Sequence, residues 1–263
     1  MSLLTNLLRR PDHPTTGDLD LVGDTNVGLV RAQNEDGYLA IGSKHHDTAL
    51  LAVADGMGGH EFGEVASYLS LRYLLHCWKE FELSGFRNRS DVHDFISTAL
   101  GAANRHIFHV NKALRIRWAM GTTATVGVIW QGKLVLGHVG DSRCYRLRQG
   151  HLRQLTVDHS WQAEMVRLGV LTDKEAALNP LSNMLTNCVG ALQHLRVDFS
   201  VTNVYPGDRY LFCTDGLSSL VQDPELRTQL AQAANAAAGV RELVSLALRY
   251  GGTDNVTAIA LFT

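Results

Sequence analysis

Residues 123–155 read TATVGVIWQGKLVLGHVGDSRCYRLRQGHLRQL. Two apolar runs, 123–130 and 134–139, flank Gln131-Gly132; two more, 144–148 and 152–155, flank Gln149-Gly150. Short apolar and β-branched runs around a two-residue turn that ends in glycine predict two successive hairpins, and therefore antiparallel strands. Upstream, residues 48–54 (TALLAVA) are apolar almost without break, which predicts a strand buried on both faces. Residues 197–204, 209–213 and 256–262 read as further strands, with a short one at 38–41. Two long helices are expected between the first strands and the hairpins. Val65, Tyr68, Leu69, Leu75 and Trp78 share a face of the first. Val92, Phe95, Ile96, Ala99, Ala103, Ile107, Val110 and Leu114 share a face of the second, with Ser90 placed to cap its start. Later helices are expected at 160–168, 224–238 and 240–250. Strands grouped in runs and helices segregated from them predict an α+β fold, not an alternating βα one.

Composition narrows the function classes. The chain has 263 residues, 45% hydrophobic and 19% charged, so it can bury a sizeable core and is not a disordered chain. A formal net charge of −2 argues against nucleic-acid binding driven by bulk positive charge, so no nucleic-acid partner is expected. The longest apolar runs fall far short of a membrane span. Near the N-terminus Arg9 and Arg10 follow the leucines, the reverse of the order in a secretory signal. Cys77, Cys144, Cys188 and Cys213 are scattered, with no CxxC pair, which disfavours zinc ribbons and thioredoxin-type chemistry. A reduced, cytoplasmic protein is expected. Residues 1–17, with Pro11, Pro14 and Gly17 and no periodicity, read as an N-terminal extension; residues 18–263 show no linker or repeat and read as a single domain.

The chemistry lies in where the aspartates fall. Asp55 ends the apolar strand and is followed by Gly56; Asp141 ends residues 134–139 and Gly140; Asp215 ends 209–213 and is followed by Gly216. Asp254 follows Gly251-Gly252-Thr253 and opens the last strand, and Asp36 follows Asn34-Glu35 just before residues 38–41. One Asp-Gly after a strand is ordinarily a turn. Five carboxylates at strand tips are a different pattern: each is held on a rigid scaffold beside open backbone, which suits a hard divalent cation with oxygen ligands. Brought together without cations, they would repel one another severely. His60 closes the glycine-rich run Asp55-Gly56-Met57-Gly58-Gly59-His60, as a loop histidine or a catalytic one. Arg31 stands three residues before the Asn34-Glu35-Asp36 run, where a guanidinium beside a metal site can grip a phosphate in bidentate fashion. No GxxxxGK[ST] run offers a nucleotide P-loop.

Seven segments, in order, resemble the metal-dependent protein serine/threonine phosphatases of the protein phosphatase 2C family, in their compact bacterial form. They are GLVRAQNED (28–36), VADGMGGH (53–60), MGTTAT (120–125), HVGDSRCYRL (138–147), LTVDHS (155–160), FCTDGL (212–217) and GGTDNVT (251–257). The resemblance implies a four-layer α-β-β-α sandwich, two antiparallel sheets flanked by helix pairs. It implies that Asp36, Asp55, Asp215 and Asp254, with the Gly56 carbonyl, hold two tight Mn2+ or Mg2+ ions, and that Asp141 and Asp215 hold a weaker third. Glu35 would support a metal-bound water, Arg31 would bind the substrate phosphate, and residues 161–189 would form a flap, with Arg167-Leu168-Gly169 and Leu185-Thr186 matching its pattern. Asn187 stands where many bacterial relatives carry Arg. Met57 stands where animal-type relatives carry a histidine, so His60 is the candidate acid. The implied reaction is hydrolysis of phosphoserine or phosphothreonine in proteins by a metal-activated water. A cognate serine/threonine kinase and a monomeric state are expected with it. The alternative is a catalytically weak or inactive phosphoprotein-binding regulator on the same fold.

Overall fold

The structure is a computed structural model that describes residues 19–42, 48–58, 62–115 and 119–263. The expected extension at 1–17 and the candidate acid His60 both lie outside the described residues. Eleven strands are described: β1 (Asp20–Asn26), β2 (Asp36–Gly42), β3 (Ala49–Met57), β4 (Gly121–Thr122), β5 (Ala124–Trp130), β6 (Lys133–Val139), β7 (Arg143–Arg148), β8 (His151–Gln154), β9 (Asp198–Asn203), β10 (Arg209–Cys213) and β11 (Val256–Phe262). The helices are α1 (Gly63–Ser84), α2 (Arg89–Leu114), α3 (Trp161–Arg167), α4 (Asp173–Ala177), α5 (Asp215–Ser218), α6 (Asp223–Gln232) and α7 (Ala236–Arg249). One sheet runs β1-β11-β10-β7-β8 and the other β2-β3-β5-β6-β9, with β4 attached to β3; every pairing is antiparallel.

Strand alternation builds the four layers. In β3, Leu50, Ala52 and Ala54 face the core under α1 and α2, with Trp78, Phe95 and Ile96. Ala49, Leu51 and Val53 face the other way, into a core between the sheets that holds Tyr210, Phe212, Ile259 and Leu261. On the far side, Leu211, Cys213, Ala258 and Ala260 pack against Leu226 and Leu230 of α6 and Val240, Leu243 and Val244 of α7. The uninterrupted apolar text of residues 48–54 thus serves two cores at once. Both hairpins form as expected. Gln131 (φ 47°) with Gly132 (φ 66°), and Gln149 (φ 50°) with Gly150 (φ 78°), take the paired positive-φ geometry whose twist matches the flanking strands.

Three local readings are corrected. The cap of α2 is Asn88, not Ser90: its side chain accepts from the Asp91 N–H while the Asp91 carboxylate accepts from the Asn88 N–H. The break between the helices expected at 224–238 and 240–250 falls earlier, at 233–235. α6 stops at Ala233, and Asn235 caps α7 by accepting from the Ala238 N–H at 2.8 Å. The edge strand β1, paired with β11, is an element the sequence reading lacked. Cys77, Cys144, Cys188 and Cys213 are all buried free thiols. Among the described residues no helix is long and apolar enough to cross a membrane.

Candidate metal centre

At one end of the sandwich the core between the sheets changes from hydrocarbon to polar. Side chains that continue the inward phase of the strands are no longer Leu or Ile but Thr123, Thr125, His138, Thr214 and Thr257, each at most 3% exposed. The same phase brings in Asp36 and Asp55. Asp36 opens β2 and is paired in register with Asp55 near the end of β3, so two like charges stand opposite each other on neighbouring strands, an arrangement that costs stability. Asp215 follows β10 at the first turn of α5, and Asp254 precedes β11. Asp141 sits in the turn between β6 and β7, after Gly140, whose φ of 104° excludes an ordinary side chain.

Arg31, Glu35, Asp55, Gly56, Asp141, Asp215 and Asp254 line one cleft of about 290 Å³, together with Met57 and Thr123 and with Asn183 and Leu185 from the segment after α4. Of the expected site residues among those described, only Asp36 is not in the lining; it faces Asp55 from the adjacent strand. Its Oδ2 accepts hydrogen bonds from the Thr214 and Thr257 hydroxyls at 2.8 and 2.7 Å, while its Oδ1 is buried without any partner. Gly56 is required for its size. A Cβ there would lie 2.1 Å from the Gly63 carbonyl oxygen and 2.7 Å from that of Glu35. Glu35 lies against the start of α1: its main-chain oxygen accepts from the Ser67 hydroxyl at 2.6 Å, and its carboxylate accepts from the Gly63 N–H. Arg31 is half exposed and donates from Nη2 to Asp254 Oδ2 at 2.7 Å. Arg143, two residues after Asp141, binds Asp158 through Nε and Nη2, at 3.1 and 2.7 Å, and donates to the Tyr145 hydroxyl.

Burial and mutual repulsion dominate the electrostatics of the cluster. Burial first, and then the charges of Asp215 and Asp254, push Asp36 up to about 7, against the pull of the two threonine hydroxyls. Burial, then Asp36, Asp215 and Asp141, raise Asp55 well above the usual carboxylate range. Asp141 is pushed up to about 7 by burial and then by Asp215 and Asp158. Asp215 is raised by burial, and a hydrogen bond from the Asp55 carboxyl pulls the other way. Glu35 is raised by burial and then by Glu64. Among the described residues no three His, Cys, Asp or Glu donors already close around one point. The contacts account for this: Asp254 is paired with Arg31, Asp36 is held by two hydroxyls, and Asp55 is bonded to Asp215. The all-oxygen donor set, the mutual repulsion and the orphaned Asp36 Oδ1 together fit a hard divalent cation such as Mg2+ or Mn2+.

Several residues that shape the site escaped the sequence reading. Asn255, 5% exposed, donates from Nδ2 to the carbonyls of Val27 and Gln33, both at 2.9 Å, and accepts the Glu35 N–H on Oδ1 at 2.9 Å. It thereby fixes the whole loop that carries Arg31, Glu35 and Asp36. Its only sequence signal is its place beside Asp254. Thr123 accepts the Asp55 N–H at 2.9 Å. Asn187 is buried and donates to the His159 ring and to the Arg196 carbonyl; it is not in the lining.

Known proteins share the family and the fold. Residues 30–249 match the family model described as Protein phosphatase 2C. The serine/threonine phosphatase stp of Listeria monocytogenes is 32% identical over 235 residues, 89% of this chain and 92% of that protein. A solved serine/threonine phosphatase of S. agalactiae has a TM-score of 0.87 at 30% identity, over 94% of this chain and 100% of that one. A solved catalytic domain of the serine/threonine protein phosphatase PstP, in complex with 2 manganese ions, has a TM-score of 0.76 at 35% identity, over 93% of this chain and 97% of that one.

Proposed function

The chain belongs to the protein phosphatase 2C family, and from that premise we propose how its residues divide the work of removing phosphate from serine and threonine side chains. It is a metal-dependent protein serine/threonine phosphatase acting on phosphoproteins. The observation that carries the division of roles is the register pair of Asp36 and Asp55, with Asp36 Oδ1 buried and unpartnered.

In this reading Asp36, Asp55, Asp215 and Asp254, with the Gly56 carbonyl, hold two Mn2+ or Mg2+ ions, and Asp141 with Asp215 holds a weaker third. Such ions, when bound, supply a water acidified to near-neutral pKa and positive charge for the phosphoryl oxygens. Arg31 binds the phosphoryl group through its guanidinium fork. That role requires its ion pair with Asp254 to open. Glu35, raised by burial, accepts a hydrogen from a water in the cleft and orients it. His60 gives a proton to the departing serine or threonine oxygen. Residues 161–189 act as a flap: Asn183 and Leu185 reach the cleft, and Leu168, Val170, Leu178, Leu181 and Met184 stand exposed for a protein substrate. We place the enzyme in the cytoplasm as a monomer that opposes a serine/threonine protein kinase.

Phosphate release from a phosphothreonine peptide is the test. Release should require added Mn2+ or Mg2+, stop with EDTA and not return with zinc. Full turnover after exhaustive EDTA treatment would sink the metal assignment. Peptide binding without any release would instead favour the regulator reading, which no contact in the site supports.

A further inference from the structure

The segment LTVDHS (155–160) carries a histidine that the roles above leave unused. His159 is 4% exposed, yet it touches three separate parts of the chain. Its ring Nδ1 accepts from the Gly140 N–H at 3.1 Å and from Asn187 Nδ2 at 3.0 Å. Its Nε2 lies 3.1 Å from Asp198 Oδ2. A backbone N–H can only donate, so Nδ1 carries no hydrogen and Nε2–H is the donor to Asp198; the contacts fix the tautomer. The main chain of His159 repeats the same links. Its N–H donates to the Gly140 carbonyl at 2.7 Å, and its carbonyl accepts from the Thr186 N–H at 2.8 Å. On one side Gly140 precedes Asp141; on the other Thr186 follows Leu185, and both Asp141 and Leu185 line the cleft. Ser160 forms an isolated bridge with Leu185, which continues the link by one residue. Asp198, half exposed, is held in turn by Arg196 Nε at 3.2 Å.

We propose that His159 is a positioning residue of the phosphatase reaction: it locks the turn that carries Asp141 to the segment that carries Asn183 and Leu185, fixing two walls of the cleft relative to each other. The proposal rests on the phosphatase reading, but its structural half can be tested without it. His159 bonds Gly140 and Asn187 at the same atom, and both bonds are buried. Glycine at 140 has no side chain to hold its own position, and its φ of 104° gives the turn little intrinsic preference. His138, its ring tilted at 44° to that of His159 with centroids 4.8 Å apart, packs against it without competing for its partners. It bonds Thr125 and the Val157 carbonyl instead.

Three variants separate the role from general packing. In His159→Asn the amide oxygen stands near the position of Nδ1 and can still accept from Gly140. In His159→Gln the amide reaches towards Asp198 and the Gly140 acceptor is lost. In His159→Ala both are lost. Amide hydrogen exchange on metal-free protein reads the lock directly. Exchange at Gly140 should quicken by about tenfold or more in the Ala and Gln variants, stay near wild type in Asn, and leave Leu211 in β10 unchanged in all three. With Mn2+, kcat on a phosphothreonine peptide should fall by about ten- to a hundred-fold in Ala and Gln and recover most of that loss in Asn. Unchanged Gly140 exchange in His159→Ala, or an Asn variant no better than Gln, overturns the proposal. Should the Ala variant fail to fold, the Asn and Gln pair decides alone. A wild type inert towards the peptide would overturn the phosphatase reading and leave the exchange result standing.

Discussion

Asp141→Asn should make the metal-free protein more stable, not less. Asp141 is pushed from an ordinary 3.8 up to about 7, first by burial and then by the charges of Asp215 and Asp158. A carboxyl whose pKa is higher folded than unfolded binds its proton more tightly in the folded state. It therefore costs nothing below the unfolded value, and stability is lost as pH rises through the window between 3.8 and about 7. At 1.36 kcal/mol per pKa unit the full penalty is about 4 kcal/mol near pH 8 and about 2 kcal/mol near pH 5. Asparagine has nearly the shape of the protonated acid and carries no such cost. The variant should then exceed wild type by those amounts, at roughly 2–4 °C of Tm per kcal/mol for a chain of this size. The neighbouring carboxylates relax when one charge is removed, so the figures are upper bounds. The assay is thermal unfolding by circular dichroism after EDTA stripping, at both pH values, repeated with saturating Mn2+. With Mn2+ the gap should close or reverse, because wild type then gains a counter-charge that asparagine cannot hold as well. A stripped variant that melts at or below wild type near pH 8, or a gap equal at both pH values, would refute the reasoning.

Three further substitutions have definite expected outcomes. Arg31→Ala should raise KM for a phosphopeptide at least about tenfold while Mn2+ affinity by calorimetry holds or improves, because Asp254 loses its competing cation; weakened Mn2+ binding with unchanged KM would contradict the assignment. His60→Ala should slow a phosphothreonine peptide more than p-nitrophenyl phosphate, whose leaving group needs little protonation; equal losses would move His60 to a structural role. Gly56→Ala, which drives a Cβ to 2.1 Å from the Gly63 carbonyl oxygen, should lower stability by about 3 kcal/mol or more, read as a fall in urea midpoint at constant slope; a midpoint like that of wild type would mean that α1 can shift away at little cost.

The parts of this molecule that sequence exposes are those set by neighbours along the chain. Alternation and turn residues placed both hairpins, since Gln-Gly at 131–132 and 149–150 meets a local demand for positive φ. The unbroken run at 48–54 announced a strand with two buried faces. What stayed hidden depends on partners far away. β1 is half-buried along most of its length and pairs with β11 at the other end of the chain, so no local pattern marks it. Each aspartate was visible at its strand tip, but the register that sets Asp36 against Asp55 was not. Thr214 and Thr257 read as ordinary β-formers, and only the packing of the two sheets turns their hydroxyls onto Asp36. The role of His159 is hidden because Gly140, Asn187 and Asp198 are 19, 28 and 39 residues away.

The carboxylate cluster was legible for a reason the fold makes plain. Folding alone selects against it: four aspartates with raised pKa values oppose the burial that the sandwich otherwise rewards. A chain built only for stability would place asparagine, serine or glycine at those tips, where turn geometry is equally well served. Repeated choice of the one turn residue that repels its counterparts points to a ligand outside the chain. The Thr214 and Thr257 hydroxyls hold one oxygen of Asp36 without neutralising it, and its Oδ1 is left unpartnered.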